Sequence, residues 1–297
     1  MNRSLRLMLG LTLSFTATIS WARAASVPQS QPVPAATFAQ FECTGFISTH
    51  SVSRAIRVFN GVDNDLYEIL HNFSEGDYVY LRRSDRQPFH VGEAYSIVRP
   101  ENGFWPDPSW VAGKIENEIL PPSSRYRLQR FKIESLGHPY DNTGLVRVVK
   151  VTPQGAIAKV LFTCNGINPQ DLAVPYQPEP IPNYIPTVDL KRFALPNGRL
   201  TGTIIAASHA TSYLAQGSIA FLNIGQNQGV VPGQKYRIYA ISRDNVTMGL
   251  EGIVHMPPTP RETLGELVIL RVQEKSSVGI VVKNLREIAV GDGVELE

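Results

Sequence analysis

Apolar and polar residues alternate along short stretches of the chain, and this two-residue period predicts β-strands with one buried face. In the first half the alternation is clear at Val79 and Leu81, and again at Tyr95 and Ile97. Runs of β-branched residues bounded by Gly, Pro and Asn follow, and the second half contains the same kinds of segment. Helical periodicity fits poorly, so we predict an all-β fold.

The chain contains the same β-pattern twice. A constant shift of 141 residues relates turn glycines in the two halves, Gly76 to Gly217 and Gly92 to Gly233. Farther along, a shift of 121 residues relates Gly144 to Gly265 and Asp171 to Asp292, so the first copy has 20 additional residues between its blocks. No Ser, His, Cys or carboxylate set recurs with these turns. We therefore predict two tandem, small, antiparallel β-barrels of the SH3-like type.

The loop at 223–233 has the most specific local sequence. Gly225 and Gly229 permit positive φ after a strand, Asn223 can hydrogen-bond its own backbone, and Gly233 permits the turn into the next strand. The loop leads into a strand and lacks a lysine followed by Ser or Thr, which disfavours phosphate binding. The residues that we assign to structural turns are Gly76, Gly92, Gly217, Asn223, Gly225, Gly229, Gly233, Gly265 and Asp292.

Composition divides the chain into five parts. Residues 1–24 have a basic start, an apolar run and small residues before Ala25, which is the pattern of a secretory signal. An uncleaved anchor helix is the alternative, but the apolar run is shorter than the roughly 20 residues that a membrane span needs. Residues 25–39 have the composition of a flexible tether. A proline-dense linker at 176–198 separates β-domains at 40–175 and 199–297. After signal cleavage we expect no transmembrane span.

Export changes the charge of the chain. The full sequence has a net charge of +2, and the signal carries three arginines and no acid, so the exported chain has a net charge near −1. No run of lysines or arginines exceeds two residues, and aromatic residues are not interleaved with them as a strand-borne RNA platform would require. We therefore do not expect nucleic acid as a partner.

Two cysteines in an exported chain predict a disulfide between Cys43 and Cys164. Cys43 precedes the first strand-like stretch of the first copy, and Cys164 follows its last strong strand. The bridge would close a loop of about 120 residues and stabilise the fold by roughly 4 to 5 kcal/mol in the chain-entropy model. A redox or metal-binding role is the alternative, and the position of both residues at strand ends favours the disulfide.

The inserted segment of the first copy contains Phe104, Trp105 and Trp110, and the last two are the only tryptophans after the signal. Exposed aromatic rings can stack on sugars or on the surface of a partner protein. The three residues are therefore candidate binding residues. The alternative is a loop that folds back and plugs one end of the barrel.

Sequence patterns for catalysis or metal binding are missing. The histidines are scattered without the spacing of a zinc site, and no Gly-x-Ser-x-Gly or His-Glu-x-x-His motif occurs. Asp63, Asp65 and Glu68 lack the spacing and the central glycine of a calcium loop. We predict no enzymatic activity, no catalytic residues, no metal and no cofactor.

Several segments together resemble a known family. Cys43, Gly45-Phe-Ile-Ser, Gly76-Asp-Tyr-Val-Tyr-Leu, Gly144-Leu-Val-Arg-Val and Cys164 resemble exported bacterial envelope proteins, many of which carry a peptidoglycan-binding LysM domain. The 223–233 loop, with Gly265-Glu-Leu and Gly291-Asp292, is similar to the SH3-like barrel that ends a periplasmic flagellar assembly protein. The sequence contains no LysM stretch. The resemblance implies a location in the periplasm or cell envelope and no catalytic residues to carry over.

These observations predict a non-enzymatic exported envelope protein that binds a protein partner or acts as a structural module. The alternative is a glycan or peptidoglycan binder that uses the tryptophan-containing insertion. Solvent-facing tryptophans would favour glycan, an exposed apolar strand edge would favour protein, and a deep pocket with convergent acids would favour catalysis.

Overall fold

A computed structural model describes residues 31–61, 72–100, 133, 135–208, 211–240, 245–249, 252–256 and 261–297. Nearly all regular structure in these residues is β-strand, which confirms the all-β prediction. In chain order the elements are β1 (Val33–Pro34), α1 (Phe38–Glu42), β2 (Phe46–Ser48), β3 (Ile56–Gly61), β4 (Tyr78–Arg83), β5 (Ala94–Pro100), β6 (His138–Thr152), β7 (Gly155–Thr163), β8 (Leu172–Pro175), β9 (Asn183–Tyr184), β10 (Thr201–Ala207), β11 (Tyr213–Leu214), β12 (Ile219–Leu222), β13 (Lys235–Tyr239), β14 (Asn245–Gly249), β15 (Gly252–Met256), β16 (Thr263–Val272), β17 (Ser277–Asn284), β18 (Ile288–Ala289) and β19 (Gly293–Leu296).

The strands form two antiparallel barrels with the same strand order. Barrel 1 follows the order β3-β4-β7-β6-β5-β8 and closes where β8 pairs with β3, at Leu172 and Arg57. Barrel 2 follows the order β10-β12-β17-β16-β13-β19 and closes between β19 and β10. Each strand of barrel 1 therefore has a counterpart in barrel 2, and the prediction of two tandem small barrels is confirmed.

Matched glycines make matched backbone hydrogen bonds in the two barrels. The N–H of Gly76 donates to the carbonyl of Val160 at 3.0 Å, and the N–H of Gly217 donates to the carbonyl of Val281 at 2.8 Å. The same agreement holds one turn later, where Gly92 donates to Val148 and Gly233 donates to Ile269, both at 2.8 Å. The acceptors are themselves 121 residues apart, so both sequence shifts correspond to equivalent positions in space.

Gly144 and Gly265 are required by close packing between strands. A Cβ atom at Gly144 would lie 2.6 Å from the Phe162 carbonyl oxygen and 2.9 Å from Ile167 Cδ1. At Gly265 the neighbours of such an atom would be the equivalent residues, the Lys283 carbonyl and Ile288 Cδ1. Any larger side chain would push β6 from β7, or β16 from β17.

Each barrel has its own apolar core, and one buried tyrosine repeats in both. The Tyr95 hydroxyl donates to Glu93 at 2.8 Å, and the equivalent Tyr236 hydroxyl donates to Gln234 at 3.2 Å. Burial raises the pKa of Tyr236 to about 12, and burial together with the Glu93 hydrogen bond raises the pKa of Tyr95 to about 12. Both rings therefore stay neutral and fill their cores.

Part of the segment expected to be a flexible tether has regular structure. Within 25–39, β1 pairs with β9, and Thr37 begins α1 with a capping box to Gln40. Ala35 and Ala36 are each 7% exposed because they pack against barrel 2. The composition of this segment disfavours a core of its own but permits small residues to pack against another domain.

The proline-dense linker lies along barrel 2. The ammonium of Lys283 donates to the carbonyls of Thr187 and Val188, both at 3.1 Å, and the N–H of Thr263 donates to the Arg192 carbonyl at 2.7 Å. The linker therefore covers part of barrel 2 in addition to connecting the two barrels.

Candidate functional site

The predicted disulfide joins Cys43 to Cys164, whose Cα atoms lie 5.5 Å apart. Cys43 is the C-cap of α1, and Cys164 follows β7. The N–H of Cys164 also donates to the Thr143 carbonyl on β6 at 3.0 Å. The bridge therefore attaches the end of α1 directly to barrel 1.

Two residues of the 223–233 loop act differently from the prediction. Gly225 has an extended φ of −146°, and its position requires glycine for space, because a Cβ atom there would lie 2.5 Å from the Ser276 nitrogen. The Asn223 side chain accepts a hydrogen bond from the Thr203 N–H on β10 at 2.7 Å, which joins the loop to a neighbouring strand. Gly229 does adopt the left-handed conformation, with φ of 79°.

Asp292 closes a turn that both copies share. One of its carboxylate oxygens accepts from the Ala289 N–H at 2.7 Å, and the equivalent Asp171 accepts from the Asn168 N–H at 2.8 Å. Asp171 is 3% exposed and also receives two bonds of 2.8 Å from the Arg99 guanidinium. A bidentate pair of this kind fixes the turn firmly, which supports a structural role.

The outward side of β10, β12, β17 and β16 is apolar and buried. We call it the covered face, and its residues are Ile205, Ile219, Phe221, Val268, Leu270, Val278 and Ile280. Phe41 of α1 and Ile47 of β2, each 1% exposed, lie against it. Because α1 is attached to barrel 1 by the disulfide and β2 pairs with β6, this contact holds the two barrels together.

Polar contacts at the edge of the covered face orient the segment that lies on it. The Arg271 guanidinium lies 4.3 Å from the centroid of the Phe41 ring and 3.5 Å from a carboxylate oxygen of Glu42. The Ser276 hydroxyl donates to the Ile47 carbonyl at 3.0 Å. The covered face thus binds a protein segment through apolar burial, a cation–π contact and an ion pair.

The outward side of the equivalent strands of barrel 1, β3, β4, β7 and β6, is exposed or half-buried. We call it the open face, and its residues are Arg57, Phe59, Tyr78, Tyr80, Arg82, Arg147, Val149, Lys150, Ile157 and Lys159. By strand pairing and the constant shifts, Tyr78 and Tyr80 correspond to Ile219 and Phe221 of the covered face. The exposed fraction of the Tyr78 side chain is 38%, whereas that of Ile219 is 7%. One architectural surface is therefore covered in one copy and open to solvent in the other.

A cleft of about 310 Å³ lies at one end of the open face. Its lining includes Arg54, Arg57, Phe59 and Arg82, and the Arg82 guanidinium lies 3.4 Å from the centroid of the Phe59 ring. Phe59 remains 43% exposed beneath this cation. Guanidinium groups beside an exposed ring suit a ligand that carries both a carboxylate and apolar surface.

A buried polar cluster on barrel 2 brings two carboxyls to one ammonium. Lys235 Nζ lies 3.0 Å from Glu297 and 3.5 Å from Glu266, and it also contacts Thr187 of the linker. Burial and the neighbouring Glu297 raise the pKa of Glu266. Burial also acts to raise the pKa of Glu297, but hydrogen bonds from Lys235 and other neighbours outweigh it, so the pKa of Glu297 is lowered. The linker and the ion pairs engage these acids, which gives them a role in attaching the linker.

The candidate binding residues Phe104, Trp105 and Trp110 lie outside the described residues, so the insertion stays a prediction. Within the described ranges, no group of three His, Cys, Asp or Glu side chains is placed to hold a metal ion. Among those same ranges, none of the helices has the length and apolarity that crossing a membrane requires. No protein-family model matches the chain, and no curated protein matches it either.

The open face went unnoticed at the sequence level, although a signal for it exists. Tyr78, Tyr80 and Arg82 follow each other at two-residue spacing on β4, so they share one side of the sheet. The statement that aromatic and basic residues are not interleaved is wrong for this strand. Comparison with the second copy, where Ile219 and Phe221 occupy the first two of these positions, would have shown the change from apolar to polar surface.

Proposed function

We propose that this protein is a non-enzymatic exported envelope protein that binds another protein through the open face of barrel 1. The observation that carries the proposal is the occupation of the equivalent covered face by α1 and β2 of the same chain. Because the two barrels have the same architecture, the surface that binds a protein segment in barrel 2 is suited to bind a protein segment in barrel 1.

Exposure and shape support a protein ligand. Phe59, Tyr78 and Val149 are between 38% and 43% exposed on the open face, and together they form an apolar surface on a rigid sheet. Exposed apolar patches rimmed by polar residues commonly mark protein-binding sites. The interiors of both barrels are filled with buried apolar side chains, which leaves recognition to the outer surfaces.

The disulfide supports an exported location, because disulfides persist in oxidising compartments and are rare in the cytosol. Peptidoglycan binding through the insertion at Trp105 and Trp110 remains the alternative function, and co-sedimentation with purified peptidoglycan tests it separately.

Site-directed photo-crosslinking tests the proposal. A benzophenone amino acid at Tyr78 lies on the open face. The same amino acid at Tyr213 of β11, which pairs with β18 outside the six strands of barrel 2 and is 63% exposed, provides the control. We expect discrete protein adducts in envelope preparations from position 78 and none from position 213. If position 78 yields no protein adduct, or if both positions yield the same adducts, the proposal is wrong.

A further inference from the structure

The open face carries cations where the covered face carries aliphatic residues. In barrel 2, Val268 of β16 pairs directly with Ile280 of β17, and both are buried beneath the bound segment. In barrel 1 the equivalent pair is Arg147 and Lys159, and both side chains are exposed. The two copies therefore differ in charge at the centre of the same surface.

This arrangement places like charges directly opposite each other on neighbouring strands. Arg147 pairs with Lys159, and at the other side of the face Arg57 pairs with Arg82. Like-charged cross-strand pairs are destabilising. A fold-stabilising role therefore does not explain the pair of Arg147 and Lys159, whereas recognition of an anionic partner does.

Several cations on barrel 2 have carboxylate partners. On barrel 2, Arg261 lies 2.6 Å from Glu295, and Arg286 lies 3.2 Å from Glu262. Among the described residues, no carboxylate forms an ion pair with Arg82, Arg147, Lys150 or Lys159 of the open face. The open face thus presents a concentrated positive charge on a chain whose total charge is only +2.

The segment on the covered face shows what chemistry such a surface binds. Its Phe41 and Glu42 are adjacent in sequence, and both contact the same Arg271 guanidinium. The residue equivalent to Arg271 on the open face is Lys150, so a cation is retained at that position. A ligand with an aromatic residue beside an acidic one could make the corresponding contacts, and further acids would meet Arg147 and Lys159.

We infer that the open face binds an acidic protein segment that carries an aromatic anchor, in the manner in which the covered face binds α1 and β2. This inference rests on the proposed function and adds the chemical class of the partner. A protein segment is favoured over nucleic acid because the equivalent surface already holds one and because the chain as a whole is nearly neutral.

Peptide binding to the full exported chain tests the inference. The probe is a fluorescein-labelled peptide that copies residues 36–49 with Cys43→Ser, made acidic by Gln40→Glu and Thr44→Glu. A basic peptide with Gln40→Lys, Glu42→Lys and Thr44→Lys is the matched probe. Fluorescence anisotropy should show that the acidic peptide binds at least about tenfold more tightly, equivalent to about 1.4 kcal/mol. Added salt should weaken this binding.

Charge reversal locates the binding to the open face. Lys159→Glu should weaken binding of the acidic peptide by about tenfold or more, and it should not lower the melting temperature because it converts a repulsive pair with Arg147 into an attractive one. Lys191→Glu in the linker makes the same change in net charge at an exposed position and should leave binding unchanged.

Three results would overturn the inference: equal binding of both peptides, an equal loss in both variants, or tighter binding of an oligouridylate probe than of the acidic peptide. Adducts at Tyr78 in the crosslinking experiment together with equal peptide binding would refute the partner class and leave the proposed function intact. Absence of those adducts would count against the proposed function itself.

Discussion

Phe41→Ala should destabilise the protein strongly, because Phe41 joins the segment attached to barrel 1 to the covered face of barrel 2. The ring is 1% exposed and lies in the apolar cluster that holds both barrels. Truncation of a fully buried phenylalanine typically costs about 3 to 5 kcal/mol. The ring also lies 4.3 Å from the Arg271 guanidinium. That cation–π contact contributes about 0.5 to 2 kcal/mol of the same loss.

The assay is thermal unfolding of the oxidised chain followed by circular dichroism. A loss of about 3 kcal/mol corresponds to a decrease in melting temperature of roughly 6 to 12 °C for a protein of this size. Phe38→Ala in the same helix is the matched control: Phe38 is 50% exposed and makes an edge contact with Phe162, at 5.7 Å between ring centroids. The free energy of unfolding of this control variant should decrease by about 1 kcal/mol or less. Equal losses in the two variants would refute the assigned packing of α1.

Three further predictions concern the polar cluster, the disulfide and the strand glycines. Burial raises the pKa of Glu266, so the wild type should lose stability as pH rises from about 4.3 through the higher folded value. Glu266→Gln should remove that loss and be more stable than the wild type at neutral pH. The control Glu287→Gln, at an exposed position, should not gain stability in this way. An equal pH profile in the wild type and Glu266→Gln would contradict the prediction. Replacing Cys43 and Cys164 by serine should cost about 2 to 5 kcal/mol in chemical denaturation, and unchanged stability would exclude a structural disulfide. Gly265→Ala should cost about 1 to 3 kcal/mol because its Cβ meets the Lys283 carbonyl, whereas a neutral result would show that β16 and β17 can separate.

Local sequence patterns were sufficient for the barrels and for the disulfide. Turn glycines such as Gly76 and Gly92 recur at constant shifts because each makes a backbone hydrogen bond that the barrel geometry requires. The pairing of Cys43 with Cys164 followed from having two cysteines in one exported module. These features depend on residues whose role is the same in any copy of the module.

The two outer faces could be identified only from the three-dimensional structure. Phe41 and Ile47 look like ordinary apolar residues of the first copy, and only the three-dimensional path of α1 and β2 places them on barrel 2. The open face combines residues from four strands, so Arg147 and Tyr78 come to flank Lys159 only when β6 and β4 pair with β7. The role of the insertion around Trp105 stays a prediction for the same reason, since it depends on where that segment packs.

Methyl chemical shifts provide the most direct test of the claim that the open face is the binding surface. The labelled full chain is titrated with the acidic peptide, and equivalent methyl groups of the two barrels are compared. We predict shifts at Ile157 and Val149 of the open face and none at the corresponding Val278 and Leu270 of the covered face. Shifts confined to barrel 2, or none in either barrel at saturating peptide, would contradict the account.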